Sequence, residues 1–321
     1  MGGKAFLQEL PPESFPRLPT KLYTLIRDLL AAALRSLYAV VQVPAEAPGK
    51  KDHGDIDFVV ALPLLGEEVA TKQVKEALAA IKSIELDGNR TSNYAVDVKV
   101  CEDAEELEVI VVLQGYGDLG IMICAIARSY GLYLSRKGLK ITSPQPDPPV
   151  HLTSSPRAIF DFMGLSMERW TEGFETIEDT FRFAATSHFF NPRRLRVPQM
   201  SSFEKSVAGR NTYHDFLVWA QDNPPAVNAP SSDAVEEALV HFGKKAEWDA
   251  AARERYERAW LKSNFNGKLV AEWTRLGWRG VKAVMDEVRS SVGGERALVG
   301  RQIEDVKCLV LSSKDLLGLS A

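Results

Sequence analysis

Cysteine is scarce in this chain: Cys101, Cys124 and Cys308 are widely spaced, with no CxxC pair and no metal-ligand spacing. That excludes a disulfide framework or a thiolate zinc site and leaves reduced, mostly buried thiols. Long hydrophobic runs are missing as well. No stretch approaches the roughly 20 apolar residues needed to cross a bilayer. The opening MGGKAFLQELPPESFPRLP has no apolar signal core, and its early Glu residues argue against a transit peptide. The expectation is an intracellular protein with no membrane partner, in cytoplasm or nucleus. Nor is positive charge in excess: 39 Lys and Arg against 43 Asp and Glu give a net charge of -4 and a pI near 5.9. Proteins that grip long duplex DNA carry a strong positive field. A processive duplex binder is therefore disfavoured, whereas an enzyme acting on a strand end or a small acceptor is not. The chain shows no internal repeat and no low-complexity tract.

What is present is ordinary globular material: 321 residues, 45% hydrophobic and 26% charged, enough for one large domain or two smaller ones. Leu22, Leu25, Ile26, Leu29, Leu30, Ala33, Leu34 and Leu37 have the one-faced spacing of an amphipathic helix. Tyr38 to Val43 reads as a strand, DIDFVVAL (55–62) as a second, and 67–82 as a helix with Ala70, Val74, Ala77, Leu78 and Ile81 on one side. The DGNRTS segment (87–92) reads as a turn and 94–101 as a third strand. Residues 106–113 fit either a strand or a helix. Leu119, Met122, Ile123, Ile126 and Tyr130 define a further helix, ended by Gly131. SPQPDPP (143–149) is the best domain boundary, and NPPAVNAPSS (223–232) a second linker.

The chemistry is carried by aspartates. Alternate residues of a strand share a face, so Asp55 and Asp57 face one way with Val59 and Ala61. The bulkier Ile56, Phe58, Val60 and Leu62 face the other and should form the core. Asp97 shares its face with Ala95, Lys99 and Cys101, opposite Tyr94, Val96, Val98 and Val100. If the two strands are neighbours, three carboxylates converge. Such a cluster repels itself unless a cation lies between its members, and hard oxygen ligands suit Mg²⁺ or Mn²⁺. The alternative reading of the same residues is a turn Asp55, a solvated Asp57 and an edge charge at Asp97.

GKKDHGDIDFVV (49–60) resembles the active-site segment of the nucleotidyltransferase superfamily that includes polymerase beta-like enzymes, and is closest to family X DNA polymerases. Gly49, Lys50, Gly54, Asp55 and Asp57 match the family's Gly-Lys and Gly-Asp-apolar-Asp pattern, and Asp97 matches its third aspartate. GYGDLGIMICAIARSYGLYLSRKGLKI (115–141) and SPRAIFDFMGL (155–165) are similar to segments that follow in that family. The resemblance spans about residues 20–165, and only the aspartate motif is specific. It implies catalysis and metal binding by Asp55, Asp57 and Asp97, with Gly49, Lys50 and Gly54 on the nucleotide side. The chain departs from the pattern where the family holds the triphosphate. A Gly-Ser or Gly-Gly pair is replaced by Pro44 and Ala45, a supporting arginine by Pro48, and a helix-opening Gly-Ser by Gly115-Tyr116.

FNGKLVAEWTRLGWRGVKAVMDEV (265–288) faintly resembles the C-terminal helices of tRNA nucleotidyltransferases, although Gly277 and Gly280 equally suit ordinary helix ends and turns. Arg193, Arg194 and Arg196 follow Phe181, Phe183, Phe189 and Phe190; such a run either grips phosphates and stacks bases or forms core beside a solvated loop. His53, beside the aspartates, is a candidate substrate contact, and 247–262 reads as a solvated helix face.

The expected fold class is thus α+β: a small mixed nucleotidyltransferase-type sheet with helices in residues 1–150, then a mostly helical region, 151–321, for substrate or partner binding. The expected activity is Mg²⁺- or Mn²⁺-dependent transfer of a nucleoside monophosphate from an NTP to a hydroxyl, favouring an RNA or DNA 3′ end. The alternative is a non-catalytic nucleotidyltransferase-fold scaffold with a degenerate phosphate loop and a protein partner on its helical half. Transfer to a small molecule or protein is a third reading.

Overall fold

A computed structural model describes residues 17–66, 69–80, 83–86, 90–93, 96–141, 150–195, 203, 205, 207–224 and 233–320. They fall into two compact units, Met1–Pro144 with His151–Gly243, and Gln145–Val150 with Lys244–Ala321. His151–Gly243 thus falls with the sheet, where the sequence reading began its second domain at 151. The expected boundary at 143–149, the tip of the 87–92 turn, Arg196 and most of the 223–232 linker lie outside the described residues.

The first unit opens with β1 (Leu18–Pro19), α1 (Thr20–Leu34), β2 (Tyr38–Gln42), β3 (Asp52–His53) and β4 (Ile56–Pro63). There follow α2 (Thr71–Ala77), β5 (Ser83–Leu86), β6 (Arg90–Asn93) and β7 (Val96–Val100). Five strands form one mixed sheet in the order β2-β4-β7-β6-β5. All neighbours are antiparallel except β4 and β7, which run parallel. The α+β expectation holds, with a correction inside it. The stretch read as a turn at 87–92 contributes a strand, β6, which pairs with β7.

β4 is covered on both sides. Ile56, Phe58 and Val60 pack under α1 with Tyr23, Leu30, Ala31, Leu34 and Tyr38. Val59 and Ala61 pack under α3 (Ala104–Gln114) with Leu107, Ile110 and Val111. The face that carries Asp57 is therefore buried and apolar one pleat further on. Leu62, expected in the core, is 45% exposed and sits at φ 58°. The apolar stripe of α1 is also narrower than its spacing suggests. Leu22, Leu25 and Leu29 face outward, because the helix turns the adjacent stripe of Tyr23, Leu30 and Leu34 to the sheet.

Residues 106–113 resolve as helix, in α3. Asp103 caps it by accepting the Glu106 N–H at 2.7 Å, and burial of Leu107, Val109, Ile110, Val111 and Val112 outweighs the β preference of its branched residues. The next helix, α4 (Leu119–Arg128), approaches α3 closely at Gly120, where an added Cβ would lie 2.0 Å from the Leu113 carbonyl oxygen. No single described helix is long and apolar enough to cross a membrane. α3 and α4 are apolar together but meet at 101°.

β8 (Leu132–Ser135), β9 (Gly138–Ile141) and β10 (His151–Thr153) make a separate antiparallel sheet. α5 (Pro156–Met163) packs on β9, α6 (Met167–Glu172) on α5, and α7 (Ile177–Ala185) and the helix Asn211–Asp222 on α4 and each other. Phe181, Phe183, Phe189 and Phe190 are all buried, so they build core and are not a stacking surface. Arg194 lies over the Tyr130 ring and donates to the Ser129 carbonyl at 3.1 Å.

The second unit is helical: Lys245–Asn264, Gly267–Thr274, Trp278–Val292 and Ile303–Leu316, around Phe265, Val270, Val284, Val288, Val306 and Val310. Helix Lys245–Asn264 has no buried residue, in keeping with a solvated face. Arg275, at φ 59°, ends the helix before it; Gly277 caps the next and Gly280 lies within it.

Candidate active site

β4 and β7 are the only parallel neighbours in the described sheet, and their register sets Asp57 directly opposite Asp97. Aligned residues on neighbouring strands project to the same face, about 5 Å apart. Asp55 precedes β4 by one residue and continues the same alternation. All three aspartates line one cavity of about 520 Å³. The fold thus brings Asp55, Asp57 and Asp97 to one cavity. Among the described residues, however, no group of three or more His, Cys, Asp or Glu is gathered closely enough to hold a metal ion as it stands. Each of the three also has a protein partner. The donor set is nevertheless hard oxygen throughout, which suits a hydrated divalent cation better than a soft one.

Another part of the wall is the segment from Val43 to Lys50, which follows β2. Local bonds hold it. Tyr116 N–H donates to the Ala45 carbonyl at 2.6 Å, and the Thr20 hydroxyl donates to the Lys51 carbonyl at 3.0 Å. β1 pairs with β3, and Arg17 ion-pairs with Asp52. Tyr116 achieves its contact at φ 58°, uncommon for a bulky side chain. Its hydroxyl is tied to the Trp170 carbonyl at 2.9 Å, and its ring meets Trp170 and Phe174 edge-on.

Lys50 lines the cavity, but its ammonium is hydrogen-bonded to Glu46. Glu46 is the hub of a buried group. Burial pushes its carboxyl up, but hydrogen bonding from Lys50 and Tyr23 and the charges of Lys50 and His53 outweigh that and hold it below the usual range. Burial, then the Glu46 carboxylate, pushes the Tyr23 phenol well above its ordinary value. The Tyr23 oxygen nonetheless finds no partner at good hydrogen-bond geometry. His53 is 2% exposed, stacks on Tyr23 at 3.7 Å between ring centres, and keeps Nδ1 3.3 Å from Glu46, within ion-pair reach but off the hydrogen-bond direction. It stands behind the cavity wall and does not line it.

Gly49 and Gly54 do not line the cavity either. Gly49, at φ 71°, shapes the turn before Lys50, and Gly54 the bend before Asp55. Sequence reading missed Arg210, which reaches the cavity from the start of helix Asn211–Asp222. The cavity therefore holds four carboxylates, Glu46, Asp55, Asp57 and Asp97, against two cations, Lys50 and Arg210.

Neither a family model nor a curated protein matches the chain. Among solved structures it is similar to Leishmania infantum polymerase beta in a ternary gap complex, at 12% identity and TM-score 0.35, over 50% of this chain and 76% of that one. It is similar also to the ternary P/T complex of the same polymerase, at 12% identity and TM-score 0.33, over 50% and 83%. The likeness is loose and covers half of this chain.

Proposed function

We propose that this chain is a metal-dependent nucleotidyltransferase that transfers a nucleoside monophosphate from an NTP to a hydroxyl, with a nucleic-acid 3′ end as the favoured acceptor. The observation that carries this reading is the parallel register of Asp57 against Asp97 inside one cavity with Asp55. Asp55, Asp57 and Asp97 would hold the divalent cations. Bound there, such ions neutralise charge on the phosphates and lower the pKa of an attacking hydroxyl.

The chain's own residues do the remaining work. β4 and β7 fix two carboxylates on rigid strands and leave little freedom to lose on binding. Val43, Pro44, Leu113 and Ile121 add an apolar stretch to the wall beside them. With Pro44, Ala45 and Pro48 in the loop, no hydroxyl or guanidinium from that segment reaches the phosphates, so their charge falls to Lys50 and to groups from elsewhere.

A second reading is favoured by one observation: carboxylates outnumber cations two to one in the cavity, and Lys50 is already neutralised by Glu46. On that reading the site binds without catalysis. Full-length protein with Mg²⁺ or Mn²⁺, each labelled NTP, and short RNA or DNA primers separates the two. Primer extension that disappears in Asp57→Asn supports the transferase. No label transfer, together with no metal-dependent thermal stabilisation by any NTP, sinks it in favour of the binding module. Label incorporated without primer identifies a protein or small-molecule acceptor.

A further inference from the structure

The two cations of the cavity are not equivalent. The Lys50 ammonium is bound to Glu46, four residues earlier in the same loop. Arg210 arrives from a segment far beyond the stretch with a recognisable motif, and its side chain is 57% exposed. Among the described residues its ion-pair partner is Asp118, at 3.4 Å, a long contact that engages one of five guanidinium donors.

Asp118 is built for this placement. It is 7% exposed and stands just before α4, yet its side chain makes no capping bond to that helix. It turns both oxygens to the distant segment instead. Oδ1 takes Arg210, and Oδ2 accepts the Tyr213 N–H at 3.3 Å. A buried carboxylate thereby fixes the start of helix Asn211–Asp222 against α4 and aims the guanidinium along the cavity wall. A planar fork of donors beside a cavity matches the oxygens of a phosphate better than an ammonium does.

We propose that Arg210 binds the anionic phosphate tail of the nucleotide, with Asp118 as its positioning residue, and so supplies from the helical side the charge that the Pro44–Pro48 loop does not. This rests on the nucleotide reading of the cavity given above. Asp118 engages only one of the guanidinium donors, which leaves the others for a phosphate while the Asp118 contact is kept.

The test is calorimetric titration of the full-length protein with NTP, NDP and NMP of one base in Mg²⁺, for wild type, Arg210→Gln, Arg210→Lys and Asp118→Asn. Wild type should prefer NTP to NMP. Arg210→Gln should weaken NTP about 10- to 100-fold and leave NMP nearly unchanged, the loss of a charge-assisted contact. Arg210→Lys should recover part of the preference. Asp118→Asn should lower it without affecting NMP; if that buried change impairs folding, the half-exposed Arg210 variants decide alone. Nucleotide binding with an unchanged NTP-to-NMP ratio in Arg210→Gln overturns the role of Arg210 and leaves the nucleotide reading intact. Equal loss of NTP and NMP also overturns it, since the phosphate tail would not be what Arg210 senses. No nucleotide binding by wild type overturns both.

Discussion

Replacing Gly120 by alanine sets two physical effects against each other. In the first turn of α4 the change should gain at most about 1 kcal/mol from propensity alone. In this fold the new Cβ would meet the Leu113 oxygen at 2.0 Å, its carbonyl carbon at 2.7 Å and its Cα at 2.8 Å. These are backbone atoms of α3, so no rotamer change relieves the overlap. The two helices must separate by roughly 1 Å, and overpacking of that kind costs about 3 kcal/mol, the upper end of its usual range. The net expectation is a loss of about 2 kcal/mol. Because Leu113, Gln114, Gly117 and Ile121 line the cavity, the same displacement should weaken the nucleotide binding proposed for it. Urea unfolding followed by circular dichroism gives the stability, and calorimetry the binding. Gly209→Ala is the control: nothing lies within 4 Å of its added Cβ, and its stability should stay within about 0.5 kcal/mol of wild type. A Gly120→Ala protein as stable as wild type would falsify the close approach of α3 and α4.

Three further outcomes are expected. Phe58→Ala, at a position 1% exposed between β4 and α1, should lose about 3–5 kcal/mol in urea unfolding, and a loss below 1 kcal/mol would contradict that core. Glu46 holds its proton less readily folded than unfolded, so its contribution to stability is complete above its ordinary value of 4.5 and is lost as pH falls below it. Glu46→Gln should flatten that part of the acid unfolding curve, and an unchanged acid limb would count against the Lys50–Glu46 pairing. Alkylation at pH 8 should modify exposed Cys308 first. Burial pushes the thiol of buried Cys101 up to about 11 and that of part-buried Cys124 up to about 12, so fast labelling of either in Cys308→Ser would refute that shielding.

Much of the site was legible because strand periodicity is local. Asp55, Asp57 and Asp97 could be assigned to faces from their neighbours alone, and the register of β4 against β7 agrees. What the pattern could not reveal depended on partners distant in sequence. The run of branched residues in 106–113 fits both periods, and the deciding signal was Asp103 with Glu106 three residues on, an N-terminal cap. Arg90 to Asn93 look like turn residues, yet pairing with β7 makes them a strand. Val59 and Ala61 seemed to belong to the less buried face, until α3 covered them. Arg210 carries no motif at all. Its role emerges only once Asp118, 92 residues earlier, draws it to the wall.

The pairing of Asp57 with Asp97 also bears on how the molecule folds. Their strands are parallel and separated by α2 and the β5–β6 hairpin, so the contact closes a long loop and brings two like charges together in the same step. Non-local parallel pairing is slow to form, and helices and hairpins assemble earlier. The carboxylate pair should therefore come together late on the folding route. On the metal-site reading proposed above, a divalent cation should hasten that final closure more than any earlier event, as refolding rates with and without Mg²⁺ would show.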